Sequence, residues 1–139
     1  MAGNVTLTMI KPRAVETSRA GNIISIILDN GFRISAMKLI HLSRQRASEF
    51  YAEHEGKPFY EALIEFMSSG PIIVAIIEKE NAVEEYRRLI GPTDPSKAPA
   101  GTIRNLYGQS VRENAVHGSD SDESAQRECS FFFSKIERF

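Results

Sequence analysis

Sulfur, strong charge and long apolar runs are all scarce in this sequence, and each scarcity excludes something. One cysteine, Cys129, among 139 residues rules out an internal disulfide and leaves no second thiol for a CxxC pair or a zinc set. A reducing cytoplasm is therefore the expected compartment. The formal net charge is −1, so no overall basic field recruits nucleic acid, and any such contact would depend on a local patch. No RRM-type aromatic signature is present either, so no specific nucleic-acid partner is expected. No apolar run approaches the roughly eighteen residues of a membrane span, and the start, "MAGNVTLTMIKPRAVE", reads as neither a signal peptide nor an anchor. The pattern GxxxxGK[ST] is missing, which excludes a P-loop.

What is present is the balance of a soluble globular protein, 42% hydrophobic and 25% charged, and residues 1–139 are expected to form one domain. "VTLTMI" alternates and stops at Pro12, as a strand closing on a Lys11-Pro12 turn would. Ala20, Ile23, Ile24 and Ile27 recur at helical spacing, with Gly31 placed as a left-handed cap. "FRISAMKLIHL" is strand-like. Ser43 then caps a helix with Ala47, Phe50, Tyr51 and His54 on one stripe, and Gly56 and Pro58 break it.

A second helix carries Tyr60, Leu63, Ile64 and Met67 on one face until "SSGP" ends it. "IIVAII" is apolar throughout and reads as an interior strand. Asn81 with Glu84 resembles a capping box opening a helix with Val83, Tyr86, Arg87 and Ile90 on one side. The proline-rich "GPTDPSKAPAGT" is an irregular loop, after which Thr102 caps a short turn through Tyr107. "NAVHG" is the last strand, and residues 122–133 are the last helix. The order β-α-β-(αα)-β-α-β-α predicts an α+β sandwich: a ferredoxin-like βαββαβ core, with helices packed on a four-stranded antiparallel sheet. That fold alone decides nothing about function.

Among three histidines, His41 ends a strand and His54 lies on a helix stripe, and both have an ordinary structural reading. His117 stands apart. Gly118 beside it has no Cβ, so a bulky group could approach the backbone there. Ser119, Asp120 and Ser121 supply hydroxyls and a helix start that suits anions. If the chain is extended from His117 to about Asp120 or Ser121, it moves outward by roughly 10 Å. A helix running back over seven residues then returns roughly 10 Å, bringing Glu128 alongside the imidazole. Glu128 shares a stripe with Ala125, Cys129 and Phe132, so it faces inward, where a charge needs a partner. Spacing alone fits a structural His–Glu pair and an aimed nucleophile or base equally well.

The stretch "NAVHGSDS" closely resembles the N-x-x-H-G-S-D signature of nucleoside diphosphate kinases. "TMIKPRAV", "HLSRQRASEFYAEHEGKPFYEALIEFMSSGP", "GPTDPSKAPAGTIR" and "ESAQRECSFFF" resemble the same family in the same order, over essentially the whole chain. The resemblance implies a ping-pong phosphotransferase. ATP or another NTP would give its γ-phosphoryl group to Nδ1 of His117, and an NDP or dNDP would carry it away, while Glu128 holds the other ring nitrogen. Ser119 resembles a serine in that hydrogen-bond set, although as a residue it could equally be a turn or a cap.

By the same resemblance, Lys11 reaches the transferred phosphate and the sugar, while Arg87, Thr93 and Arg104 clasp phosphates. Phe59 stacks on the base opposite Val111, Asn114 hydrogen-bonds the ribose 3′-oxygen, and Tyr51 supports Lys11 and His117. Tyr51 and Asp120 read equally as structural residues. The physical need is plain, since a nucleoside triphosphate brings roughly four negative charges and phosphoryl transfer is mostly positioning and charge stabilisation. Mg2+ is the implied cofactor, held mainly by the nucleotide phosphates, with Asp120 a candidate contact through water.

The chain departs from the family pattern at Arg13, Ile26, Leu28 and Leu106. None of these matches a substrate contact. Ile26 and Leu28 lie on a helix that relatives use in subunit contacts, and a homo-oligomer, hexamer or tetramer, is implied. Two other classes fit parts of the sequence: an idle nucleotide-binding module on the same fold, and a histidine phosphocarrier. The carrier needs no base slot, whereas Phe59 and Val111 resemble one.

Overall fold

The computed structural model describes residues 3–139. Strands β1 (Val5–Ile10), β2 (Arg33–Ile40), β3 (Ile72–Glu78) and β4 (Val116–Gly118) form one antiparallel sheet in the order β2-β3-β1-β4. Around it lie α1 (Pro12–Glu16), α2 (Ala20–Asp29), α3 (Arg44–Phe50), α4 (Tyr60–Met67), α5 (Ala82–Ile90), α6 (Ile103–Tyr107) and α7 (Asp122–Phe132). The architecture is the expected α+β, ferredoxin-like one.

Helices cover both faces of the sheet, and the period-two alternation of the strands sorts side chains between two cores. Leu7, Met9, Val74 and Ile76 pack against Phe50, Ile64, Met67, Cys129 and Phe132 of α3, α4 and α7. Ile10, Ala75, Ile77 and Val116 pack against Ile23, Ile27, Tyr86, Ile90 and Ile103 of α2, α5 and α6. The continuous apolar run of β3 follows from this, because both of its faces are covered.

Local signals place most helix ends. Ser43, Thr102 and Ser121 each accept a backbone N–H through the side-chain oxygen, and Gly31 adopts φ +88° past α2. Several expectations need correcting. The Lys11-Pro12 segment opens α1 rather than a bare turn, since proline at the first helical position loses no hydrogen bond. Asn81 forms no capping box. It sits at φ 56° and its Nδ2 donates to Glu84 Oε2 (2.9 Å), so its side chain caps no backbone donor. His54 lies on a 3-10 turn after α3, not on the helix itself. The last strand is shorter than "NAVHG", because Ala115 at φ 74° turns the chain before Val116.

Candidate active site

Pairing of β4 with β1 sets the site. His117 lies opposite Met9 and Gly118 opposite Thr8, so the histidine faces the α3 and α7 side while the glycine faces α5. The turn at Ser119–Ser121 reverses the chain into α7, whose inward stripe carries Glu128 back under the ring. His117 Nε2 lies 2.7 Å from Glu128 Oε1, and Ser119 Oγ donates to the same oxygen at 2.8 Å. Ser119 Oγ in turn accepts the Leu7 N–H at 3.2 Å, tying the pair to β1. Phe50 meets the imidazole edge-on at 5.6 Å. A carboxylate is acceptor-only, so Nε2 carries the proton and the lone pair is on Nδ1.

The expected role of Gly118 is corrected here. A Cβ at that position would come within 2.9 Å of Tyr86 Cδ2 and 3.2 Å of Ile90 Cδ1. The missing side chain therefore makes room for α5, not for an incoming group. The close approach also lets the Tyr86 hydroxyl hydrogen-bond Thr8 Oγ1.

His117 opens into a cavity of about 830 Å³, within the range that takes small-molecule ligands. Lys11, Tyr51, Phe59, Arg87, Thr93, Arg104, Val111, Asn114, Asp120 and Glu128 line it with His117. Residues scattered from 11 to 128 thus converge on one space. Ser119 alone among the expected site residues does not reach it, being fully buried behind Glu128.

Lys11, an ordinary surface lysine by its sequence surroundings, is only 7% exposed. Its Nζ donates to Asn114 Oδ1 (2.7 Å), and Asn114 Nδ2 donates to the Thr93 carbonyl (3.1 Å). Burial, and secondarily the Arg104 charge, lower the lysine pKa to about 7. Arg104 braces the walls: its two terminal nitrogens donate to the Gly91 and Val116 carbonyls, each at 2.9 Å. Its pKa falls to about 10, chiefly through burial, with Tyr86 opposing the fall and Arg87 adding to it.

Tyr51 packs edge-on against Phe50 at 4.9 Å. Its buried hydroxyl makes no hydrogen bond to the protein, neither to Lys11 nor to His117. Burial, and then the Glu128 charge, raise its pKa well above the usual phenol value. Arg87 is exposed on the rim of α5 rather than in its buried stripe. Phe59 is 47% exposed, with Lys57 Nζ 5.8 Å from its ring centroid.

Sequence reasoning missed His54, Arg88 and Arg112, which also line the cavity. The adjacency of Arg112 to Val111 was the only local hint. Among the described residues no cluster of three His, Cys, Asp or Glu side chains could cage a metal. Among the described residues, the carboxylates on the cavity are those of Glu53, Asp120 and Glu128, and Glu128 is committed to His117.

Fold and cavity together define a class: an α+β sandwich with a carboxylate-oriented histidine at the floor of a cationic pocket. A sequence model of the family described as nucleoside diphosphate kinase matches residues 4–138. The chain is 51% identical over 134 residues to a nucleoside diphosphate kinase of Hydrogenovibrio crunogenus, covering 96% of this chain and 95% of that one. It is 52% identical over 139 residues to one of Flavobacterium psychrophilum, covering 100% of both. Its structure is similar to the Aquifex aeolicus nucleoside diphosphate kinase, with a TM-score of 0.95, 41% identity and 98% and 99% of the two chains covered. It is also similar to the Halobacterium salinarum enzyme in complex with CDP, with a TM-score of 0.94, 34% identity and 99% and 92% covered. This chain belongs to the nucleoside diphosphate kinase family.

Proposed function

We propose that this chain, acting as one domain over residues 1–139, is a ping-pong nucleoside diphosphate kinase using His117 as its phosphoryl carrier. The observation that carries the reading is the 2.7 Å contact of Glu128 with Nε2. It leaves Nδ1 without a protein partner on a ring that lines the cavity.

In the first half-reaction the Nδ1 lone pair attacks the γ-phosphorus of an NTP, and the P–O bond to the departing NDP breaks. Nε2 keeps its proton, shared with Glu128, whose negative charge favours the electron-poor phosphorylated ring. In the second, a terminal phosphate oxygen of an NDP or dNDP attacks the phosphohistidine. The N–P bond breaks and its electrons return to Nδ1. Phe59 and Val111 are suited to stack on a base, which every base permits. Lys11 and Asn114 are suited to the sugar and the transferred phosphate, and Arg87, Thr93 and Arg104 to the phosphates.

Mg2+ fits this site as a passenger of the nucleotide, because the described residues offer no cage of their own. When bound it would neutralise phosphate charge, and Asp120, which also lines the cavity, would be the carboxylate to meet it through water. Leu28, Met37 and Leu39 leave substantial apolar surface exposed, which supports a homo-oligomer. Among the described residues no helix is long and apolar enough to cross a membrane, and the buried lone thiol of Cys129 suits a reducing cytoplasm.

The test is incubation with γ-labelled ATP and Mg2+ without acceptor, followed by a chase with several diphosphates. Base-stable, acid-labile label near one per subunit, lost to any diphosphate and absent in His117→Ala, is the expected result. Label that no diphosphate removes would identify a phosphocarrier, and no label would leave a binding module.

A further inference from the structure

Five Lys and Arg side chains line the cavity, and the protein already occupies three of them. Lys11 is held by Asn114, Arg88 by Glu84 and Glu85, and Arg104 by the Gly91 and Val116 carbonyls. Arg87 and Arg112 make no side-chain hydrogen bond or ion pair among the described residues. The proposed phosphate clasp absorbs Arg87, and nothing so far uses Arg112.

The loop that carries Arg112 is closed on itself. The Gln109 N–H donates to the Glu113 carbonyl at 2.8 Å, and the Glu113 N–H donates to Ser110 Oγ at 3.0 Å. Val111 and Arg112 in this loop are both exposed, and both line the cavity. Val111 is the residue suited to face Phe59 across a base. A free guanidinium on the next residue of a pinned loop therefore stands beside the residue suited to the base.

A guanidinium has only donors, in a fork. It matches the paired acceptors O6 and N7 of guanine, and it mismatches adenine, which presents N7 beside an N6 amino donor. We propose that Arg112 is a specificity-determining residue of the base slot, reading the O6/N7 edge and favouring guanine and hypoxanthine diphosphates over ADP. The inference rests on the nucleotide reading of the cavity given above. It concerns binding, so it is measured without turnover.

The experiment is calorimetric titration of the full chain and of Arg112→Ala and Arg112→Gln with GDP, IDP and ADP. For the unaltered chain GDP and IDP should bind alike and roughly fivefold more tightly than ADP, the lower end of what a bidentate base contact supplies at an exposed site. In Arg112→Ala that ratio should fall to near one. In Arg112→Gln it should shift towards ADP, because a carboxamide pairs with N6 and N7 of adenine. Equal weakening towards all three diphosphates would make Arg112 a phosphate contact and overturn the proposal, as would a ratio that Arg112→Ala leaves in place. Absence of phosphohistidine in the labelling test would overturn the kinase reading while leaving these affinity ratios readable.

Discussion

Glu128 Oε1 is a shared acceptor: His117 Nε2 lies 2.7 Å from it and Ser119 Oγ 2.8 Å. One buried oxygen thus sets both the tautomer of the histidine and the position of the serine that ties the pair to β1. Glu128→Ala removes the acceptor and the charge together, and should slow phosphorylation of His117 by roughly two orders of magnitude. It should also cost about 1–3 kcal/mol of stability, because buried donors lose their partner. Glu128→Gln keeps an acceptor oxygen and should fall between Ala and the native residue. Single-turnover labelling together with urea unfolding checks the ordering, and native rates in both variants would remove Glu128 from the mechanism.

The packing role of Gly118 makes a separate prediction. Gly118→Ala would press a methyl group to 2.9 Å from Tyr86, and such overpacking costs about 1–3 kcal/mol. Gly21 in α2 faces open space, where a Cβ would meet nothing within 4 Å, so Gly21→Ala should stabilise by roughly 0.5–1 kcal/mol. Opposite shifts in the urea midpoint are expected. A neutral Gly118→Ala would show that α5 gives way freely.

Lys11 gives the protein a pH signature. With its folded pKa lowered to about 7 from 10.5, the folded chain holds fewer protons than the unfolded chain between those values. Stability should therefore rise with pH across that window, the penalty on the charged lysine being full below pH 7. Lys11→Met should flatten this slope. A bound diphosphate adds negative charge and raises the lysine pKa, so binding near pH 8 should take up protons. Calorimetry in buffers of different ionisation enthalpy reads that uptake, which should shrink in Lys11→Met.

Phe59, half-exposed and outside both cores, should matter more to ligand than to fold. Phe59→Ala is expected to change stability by no more than about 0.5 kcal/mol. It should weaken diphosphate binding roughly tenfold for every base, the scale of one lost base–aromatic stack. Weakening confined to one base would show that Phe59 reads identity rather than offering a platform.

Much of this was legible in the sequence, because the signals were local. Ser43, Thr102 and Ser121 cap helices through their own side chains, and Gly31 stops α2 with its own backbone. The return of Glu128 to His117 was legible too, since strand and helix rise per residue are fixed and the two residues are only eleven positions apart. Asn81 misled for the converse reason: its spacing to Glu84 suits a capping box, but its left-handed backbone and amide-to-carboxylate bond answer to surroundings that spacing does not record.

Periodicity, caps and neighbours along the chain dictate the order of elements, the apolar interior strand β3, the histidine with its glutamate, and the family signature. Packing in three dimensions was needed to show that Gly118 yields space to Tyr86, that Lys11 is buried and bound to Asn114, and that Arg104 braces two carbonyls. Each of these joins elements far apart in the chain or on opposite sides of a strand. Burial, and the pKa shifts it causes, belong to the packed molecule, because desolvation depends on everything that surrounds a group and not on its neighbours along the chain.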